Sequence, residues 1–586
     1  RLEFGGPVGE RIAANRRNWL MTAPQSNPAM LDMFRERDRM PERDLLPWSG
    51  EFAGKYLTSA VECYRLDRNL ALRKQIERFV ADLIATQGAD GYLGPFPEGT
   101  RFFGKDLWDL WGQYHCMLGL FRWYEESGDA HALAACRRAA DLFCRVFLDG
   151  NRRVVEAGSE EMNESCIHIF TLLYATTGEP RYLALARSIE EDFATPPSGD
   201  YIRQSLAGRA FYQLPKPRWE GLHAVQGIAE LYFITGDEKY RRAFEQIWWT
   251  IDEFDRHNTG GFSSGEQAQG NPYDPRPIET CCTIAWSALS LDMLRMTGDS
   301  RAADELELSL FNGVLGAQEP NGRWWTYNTP MDGERKAATQ DIAFQARPGS
   351  PELSCCSVNG PRGLGMLSDW AAMSAPDGLA VNYYGPSAFR VHLANGSEVG
   401  ITQKTTYPVS GRVSLTVDPS PVSRFAVRLR IPGWSAATKV TLNGKAVGGA
   451  QAGSYLVLDR RWKPGDHIEL DFDMSPWVWV GERECSGKAS IYHGPILLAY
   501  DPRFGPYAPG SLPVVAPGAA QSASAATGGI LTERIATPDG KFLTLSDFAS
   551  AGTAGNPYVS WLPVTGLASV PFSRANPLRV QRPARP

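Results

Sequence analysis

"ELYFITGDEKYRRAFEQIWWTI", residues 230 to 251, reads as two helices and the joint between them. Apolar residues recur at helical spacing up to Ile234. Thr235-Gly236-Asp237 then interrupts the pattern, and a second amphipathic stripe follows. Glycine ends a helix readily in the left-handed conformation, and the acidic residue beside it can start the next one. The same layout recurs at 62–84, 122–143, 172–193 and 292–315, with turns near Asp67, Gly128, Gly178 and Gly298. The turns fall about 50–60 residues apart, and a hairpin of this kind cannot bury its apolar face alone, so successive hairpins stack. An array of about six hairpins, with the longer connections on one side, predicts an (α/α)6 toroid; an open solenoid is the alternative the repeat leaves standing.

After residue 380 or so the pattern changes. "AVNYYGPSAFRVHL" (380–393), "RVSLTVD" (412–418), "FAVRLRIPGW" (425–434), "KVTLNGKAV" (439–447) and "HIELDF" (467–472) are short, alternating and β-branched, and Gly, Pro and Asn-Gly turns bound them. The expected architecture is an α+β multidomain chain. An (α/α)6 barrel catalytic domain spans 1–380, and a β-sandwich region of one or two jelly-roll-like domains spans 381–586. Residues 507–530, rich in Pro, Gly, Ala and Ser, read as a loop within the β region.

Composition narrows the function. A chain of 586 residues exceeds a single core, so two or three domains are expected. Its net charge of −6, with basic and acidic residues interspersed, gives no footprint for nucleic acid and no polybasic face for a membrane. Apolar runs of spanning length are also missing. The 17 Trp, 21 Tyr and 26 Phe suit stacking on sugars as well as filling a large core. The first twenty residues already read as folded sequence, which leaves a trimmed leader open, so the compartment is cytoplasmic or periplasmic. A homodimer formed through the β region is equally open.

The ten cysteines are not arranged as a disulfide framework, and several lie in apolar helical runs as buried thiols. Two adjacent pairs stand out: Cys281-Cys282 in "IETCC" (278–282) and Cys355-Cys356 in "SCCSVNGPRGL" (354–364). Neighbouring cysteines rarely bond to each other, because the ring is strained. Each pair precedes a helical run, where a helix N-terminus favours thiolate. Glu279, Cys281, Cys355 and Cys356 could make a tetrahedral Cys3Glu zinc site; the spacing alone equally allows two unrelated buried pairs.

"GGFSSGE" (260–266), "IETCC" and "SCCSVNGPRGL" together resemble glycoside hydrolase family 127 and its sister family 146, the β-L-arabinofuranosidase-like enzymes. The likeness extends through "EFAGKYLTSAVECYRL" (51–66), "WDLWGQYHCMLGLFRWYEESGD" (108–129), "MNESCIHIF" (162–170), "HAVQGIAELYFITGD" (223–237) and "YHGPILLAY" (492–500), nearly the whole chain. The resemblance implies an (α/α)6 barrel with β-sandwich domains and Zn2+ held by Glu279, Cys281, Cys355 and Cys356. It implies Cys355 as nucleophile and Glu266 as acid/base of a retaining exo-glycosidase. It also implies that His115 and His223 contact the sugar. Asn163 and Glu164 stand where the arabinofuranosidases carry Gly-His, and Asn163 takes the histidine place as in the sister family, which leaves the exact sugar open. Trp219, Glu220 and Tyr327 are further substrate-binding candidates. The implied partner is an oligosaccharide or glycoconjugate ending in β-L-arabinofuranose or a related sugar.

The chemistry is coherent. A retaining glycosidase needs a nucleophile on one face of the anomeric carbon and an acid/base on the other, and a metal-held thiolate can serve as the nucleophile. Three rivals remain on sequence grounds. The same fold and site could act on another sugar or sugar acid. A different α/α-toroid enzyme, a lyase or uronyl hydrolase, would need no thiols. A non-catalytic carbohydrate-binding protein would use zinc structurally.

Overall fold

The computed structural model describes residues 2–263, 265–336, 354–520, 523–526 and 528–569. The readings that fall on Ser264, on 351–353, on parts of 507–530 and on 570–586 lie outside these residues.

The hairpins form where the turns place them. They pair α1 (Glu51–Asp67) with α2 (Leu70–Ala85), α3 (Asp109–Ser127) with α4 (Ala130–Cys144), and α5 (Ile167–Thr177) with α6 (Pro180–Asp192). Further along, α7 (Gly221–Thr235) pairs with α8 (Glu238–Phe254), and α9 (Thr280–Thr297) with α10 (Ser300–Leu308). Gly128, Gly178, Gly236 and Gly298 end their helices at φ of 73°, 69°, 67° and 64°. The side chains of Asp129, Glu179, Asp237 and Asp299 then accept the backbone N–H two residues on. Each joint thus satisfies both the carboxyl end of one helix and the amino end of the next. In the first hairpin Arg68 takes the left-handed position and Asn69 is the cap.

The first helix of each pair is buried on nearly every face; the second is buried mainly on one stripe in the first four pairs, whereas α10 is buried at every residue. Such patterns put the first helices inside and the second outside. A sixth inner helix, α11 (Cys355–Gly365), packs between α9 and α1 and returns the array to its start, so the ring closes and the solenoid alternative falls. At this seam the Ser59 hydroxyl donates to the Val358 carbonyl at 2.7 Å and the Cys63 thiol to the Pro361 carbonyl at 3.2 Å. The α1–α3 crossing is closer still. A Cβ on Gly54 would stand 2.1 Å from the His115 carbonyl carbon, so only glycine fits there.

The strand-rich part forms three antiparallel-dominated sheets. A seven-stranded sheet runs in the order Leu2–Phe4, Ser387–His392, Glu398–Thr405, Arg412–Ser420, Asp466–Asp471, Lys439–Leu442, Lys445–Val447. A four-stranded sheet runs Ser454–Trp462, Ser423–Ile431, Gly378–Val381, Ala372–Ala375. A third sheet is built around Lys488–His493, Ile496–Tyr500 and Phe542–Asp547. Burial alternates along Arg412–Ser420, as expected for a strand with one face on the core. Leu2–Phe4, too short to show a period, comes from the far end of the chain to pair with Ser387–Phe389. Arg430, fully buried, ties sandwich to helices: its guanidinium donates to Asp304 at 2.5 Å and Glu307 at 2.7 Å, both on α10. All ten cysteines are buried and free. Among the described residues no helix is long and apolar enough to cross a membrane.

Candidate active site and metal centre

The inner helices all begin at the same end of the ring, and their first turns carry the chemistry. Glu279 ends a two-residue strand, Ile278–Glu279, that pairs with Asn328–Thr329, so Glu279 lies opposite Asn328 and next to Tyr327. Cys281 sits in the first turn of α9, and Cys355 and Cys356 open α11, whose Ser354 caps the Ser357 N–H. Ring closure brings α9 and α11 side by side, and the two cysteine pairs meet there.

One ligand atom from each of Glu279, Cys281, Cys355 and Cys356 lies within 4.8 Å of all the others. Cys356 Sγ is 3.3 Å from Glu279 Oε1, Cys355 Sγ is 4.0 Å from the same oxygen, and the two sulfurs are 3.9 Å apart. Zinc–sulfur bonds of about 2.3 Å and zinc–oxygen bonds of about 2.0 Å in a tetrahedron require edges of about 3.8 Å between sulfurs and about 3.5 Å from sulfur to oxygen. The three observed separations lie within about 0.5 Å of those edges. Electrostatics agree. Burial, then the charge Cys355 would carry when ionised, pushes the Glu279 carboxyl well above its usual range; burial does the same to Cys356, and the hydrogen bond with Cys281, then burial, raises the Cys355 thiol as well. Burial also opposes ionisation of Cys281, but hydrogen bonds from Cys355 and Cys356 and the charge of Lys55 bring its thiol down to about 6. Four groups that all act as anionic ligands, packed this tightly out of water, are reconciled by a divalent cation. The donor set therefore fits a metal site. Cys281, Cys356 and Glu279 are at most 1% exposed and Cys355 is 7% exposed, so all four are buried and Cys355 is the least buried of them.

Cys282 is not a member of this group. Its sulfur lies 3.7 Å from Glu279 Oε2, the oxygen turned away from the cluster. Burial holds its thiol well above the ordinary range, so it is an S–H donor.

Glu266 lies at φ 69° on the loop before α9, with its side chain one-third exposed. The Tyr327 hydroxyl donates to its Oε1 at 2.8 Å, and Arg218 donates to its Oε2 at 2.9 Å. Arg218 also grips Glu220 through two hydrogen bonds of 3.1 and 2.8 Å. Burial raises the Glu220 carboxyl to about 7 against that pull. Tyr327 connects the two halves of the site. Burial and then the charges of Cys355, Glu279, Cys356 and Glu266 keep its hydroxyl protonated, as a donor must be. Arg218 stands one residue before Trp219, in "PRWEGLH" (217–223), and nothing in the sequence marks it out for this role.

Deeper in the ring lies an aromatic and histidine wall. Trp111 is edge-on to His115 (4.3 Å between centroids), His223 (5.1 Å) and Trp219 (5.6 Å). The Tyr114 hydroxyl sits between Nδ1 of His168 at 2.9 Å and Nδ1 of His223 at 2.8 Å. One hydroxyl can donate to only one of them, so the two imidazoles carry opposite tautomers. Burial pushes His115, His168 and His223 well below ordinary values and keeps them neutral. Nε2 of His115 and Nε2 of His223 are buried with no protein partner.

Asn163 and Glu164 go elsewhere. Asn163 commits both amide hydrogens to the backbone carbonyls of Leu107 and Ala157, and its oxygen accepts the Trp111 N–H, so it braces the start of α3. Glu164 accepts the Ser198 hydroxyl at 2.6 Å. Conversely, Lys55 and Glu51 join the site unannounced, 2.9 Å apart on α1, at most 2% exposed, with the ammonium 4.8 Å above the Trp219 ring and 5.3 Å from that of Trp111.

Comparison with known proteins is consistent along the chain. The profile of the β-L-arabinofuranosidase GH127 catalytic domain matches residues 11–369, and that of the GH127 middle domain matches 378–474. A non-reducing end β-L-arabinofuranosidase from Bifidobacterium longum subsp. longum is 26% identical over 496 residues, covering 76% of this chain and 74% of its own. The crystal structure of a GH127 β-L-arabinofuranosidase from Geobacillus stearothermophilus T6 has a TM-score of 0.80 at 21% identity, covering 96% of this chain and 100% of that one. A second structure described as a GH127 β-arabinofuranosidase gives a TM-score of 0.80 at 20% identity over 96% of both chains. At these identities the structural likeness speaks for the fold.

Proposed function

The chain belongs to glycoside hydrolase family 127, the β-L-arabinofuranosidase family, and on that footing we propose that it is a retaining exo-glycosidase releasing terminal β-L-arabinofuranose from a glycan, with Cys355 as nucleophile, Glu266 as acid/base and zinc held by Glu279, Cys281, Cys355 and Cys356. The observation that carries this reading is the buried four-ligand cluster, in which Cys355 is the least buried residue. When bound, zinc supplies the charge that keeps the thiols deprotonated and makes the Cys355 sulfur a competent leaving group.

The chain's own residues do the rest. The sugar enters the ring mouth and rests on the wall of Trp111, Trp219, His115 and His223, whose neutral imidazoles offer Nε2 to its hydroxyls. Cys355 Sγ attacks the anomeric carbon. The bond to the departing oxygen breaks, and Glu266 gives that oxygen its proton. Tyr327 and Arg218 hold the two Glu266 oxygens during this transfer. In the second half Glu266 takes a proton from water, the water oxygen attacks the anomeric carbon, and the carbon–sulfur bond breaks. Two displacements at one carbon retain its configuration.

The test is metal content together with turnover of 4-nitrophenyl β-L-arabinofuranoside by wild type, Cys355→Ser and Glu266→Gln. The expected result is about one zinc per chain, turnover by wild type, and a fall of ~100-fold or more in both variants. A zinc-loaded wild type inactive on this glycoside would overturn the sugar assignment. A metal-free active wild type would overturn the chemistry.

A further inference from the structure

Three nitrogens in the floor of the ring are buried without a hydrogen-bond partner in the protein: Nε2 of His115, Nε2 of His223 and Nζ of Lys55. The Lys55 ammonium is the unusual one. It lies 2.9 Å from Glu51 Oε2, an ion pair that leaves at least two of its three N–H donors unengaged, and the same oxygen already accepts the Trp111 indole N–H. An ammonium has three N–H donors. A purely structural buried lysine would have them satisfied, because a buried donor left unpaired forfeits its solvation.

The surroundings say what takes up those donors. The Lys55 ammonium lies over Trp219 and beside Trp111, the rings that also wall His223 and His115. After Glu51, the charges it feels most strongly are those of Cys281 and Cys355. One face of a sugar laid on this wall with its anomeric carbon at Cys355 therefore meets the ammonium.

We propose that Lys55 is a substrate-binding residue, whose ammonium donates a hydrogen bond to one ring hydroxyl of the terminal sugar, held in place by Glu51. The assignment rests on the glycosidase reading and adds a cationic donor to the histidine floor. It makes the floor a reader of one particular hydroxyl.

The experiment compares wild type, Lys55→Met and the double variant Lys55→Met/Glu51→Gln, which leaves no lone buried carboxylate should the single variant fail to fold. Each is assayed on 4-nitrophenyl β-L-arabinofuranoside and on its 2-deoxy, 3-deoxy and 5-deoxy analogues, with zinc content measured alongside. The expected result is a 10- to 100-fold loss of kcat/KM on the parent glycoside, the range for a charged hydrogen bond, at full zinc content. On one deoxy analogue the loss should shrink to a few fold, because that analogue lacks the hydroxyl that Lys55 holds. Equal losses on all the analogues, or none on the parent, would overturn the inference. If wild type proves silent on arabinosides, calorimetric titration with a panel of free pentoses and hexoses decides separately. A sugar bound at least ~10-fold more weakly by Lys55→Met upholds Lys55 and rejects only the arabinose assignment. Equal binding by both proteins, or binding by neither, rejects Lys55.

Discussion

Cys282→Ala should loosen the metal without touching a ligand. Glu279 divides its two oxygens: Oε1 faces Cys356 at 3.3 Å, and Oε2 faces the Cys282 sulfur at 3.7 Å. Among the described residues the thiol is the one hydrogen-bond donor seen at Oε2, and it comes from the same helical turn, three residues on. Removing a partner that orients a metal ligand weakens metal binding about 10- to 100-fold, which is about 1.4–2.7 kcal/mol. The substitution also deletes a fully buried sulfur, so a separate stability cost of about 1–2 kcal/mol is expected. Competition for zinc with a chromophoric chelator reads the first quantity and urea unfolding of the zinc-saturated proteins reads the second. Cys282→Ser keeps a donor at that place and should restore most of the affinity. An alanine variant that binds zinc within about twofold of wild type would refute the orienting role. So would a serine variant as weak as alanine, since volume would then be the cause.

Other consequences can be checked in parallel. Gly54→Ala drives a Cβ into the His115 backbone, so unfolding free energy should fall by about 1–3 kcal/mol and kcat/KM should fall with it as α3 is pushed from α1. A urea midpoint unchanged from wild type would show that the crossing yields. Arg430→Met leaves Asp304 and Glu307 buried without their partner, and about 3–5 kcal/mol of stability should go. Differential scanning calorimetry checks this, and an unaltered transition would contradict it. His168 is held neutral by burial, its folded pKa lying well below the unfolded one. Its contribution is therefore fully present above the unfolded value of about 6.5 and is lost as pH falls below it. Replacing it by Gln should narrow the stability gap between wild type and variant by about 2 kcal/mol from pH 7 to pH 5, measured by urea titration at both values.

Much of the architecture was legible because its instructions are local. Each Gly-Asp or Gly-Glu joint caps two helices at once, and nothing distant is needed to read it. Ring closure was less legible, because the helix that completes it, Cys355–Gly365, has no hairpin partner of the repeated kind among the described residues and contains Pro361. The cysteine pairs announced themselves, since adjacent thiols beside a Glu-Thr-Cys motif are rare in a chain without disulfides. Lys55 and Glu51 did not. Four residues apart on a helix, a Glu and a Lys read as a solvated surface pair, and only the closed ring buries them. Tyr114 and His168 were hidden in the same way, inside apolar helical runs that look like core. Asn163 shows the opposite limit: matching a family position carried no information about where its amide hydrogens would be spent.

The most direct test of the thiolate mechanism is to find the sugar on sulfur. Glu266→Gln, mixed with 4-nitrophenyl β-L-arabinofuranoside, has a leaving group that departs without an acid but lacks the base for the second half, so the covalent species should accumulate. Intact-mass and peptide analysis of the quenched protein should show one pentosyl group, attached to Cys355, and none when Cys355→Ser is added. A pentosyl group on a carboxylate, or turnover that survives Cys355→Ser undiminished, would contradict the account.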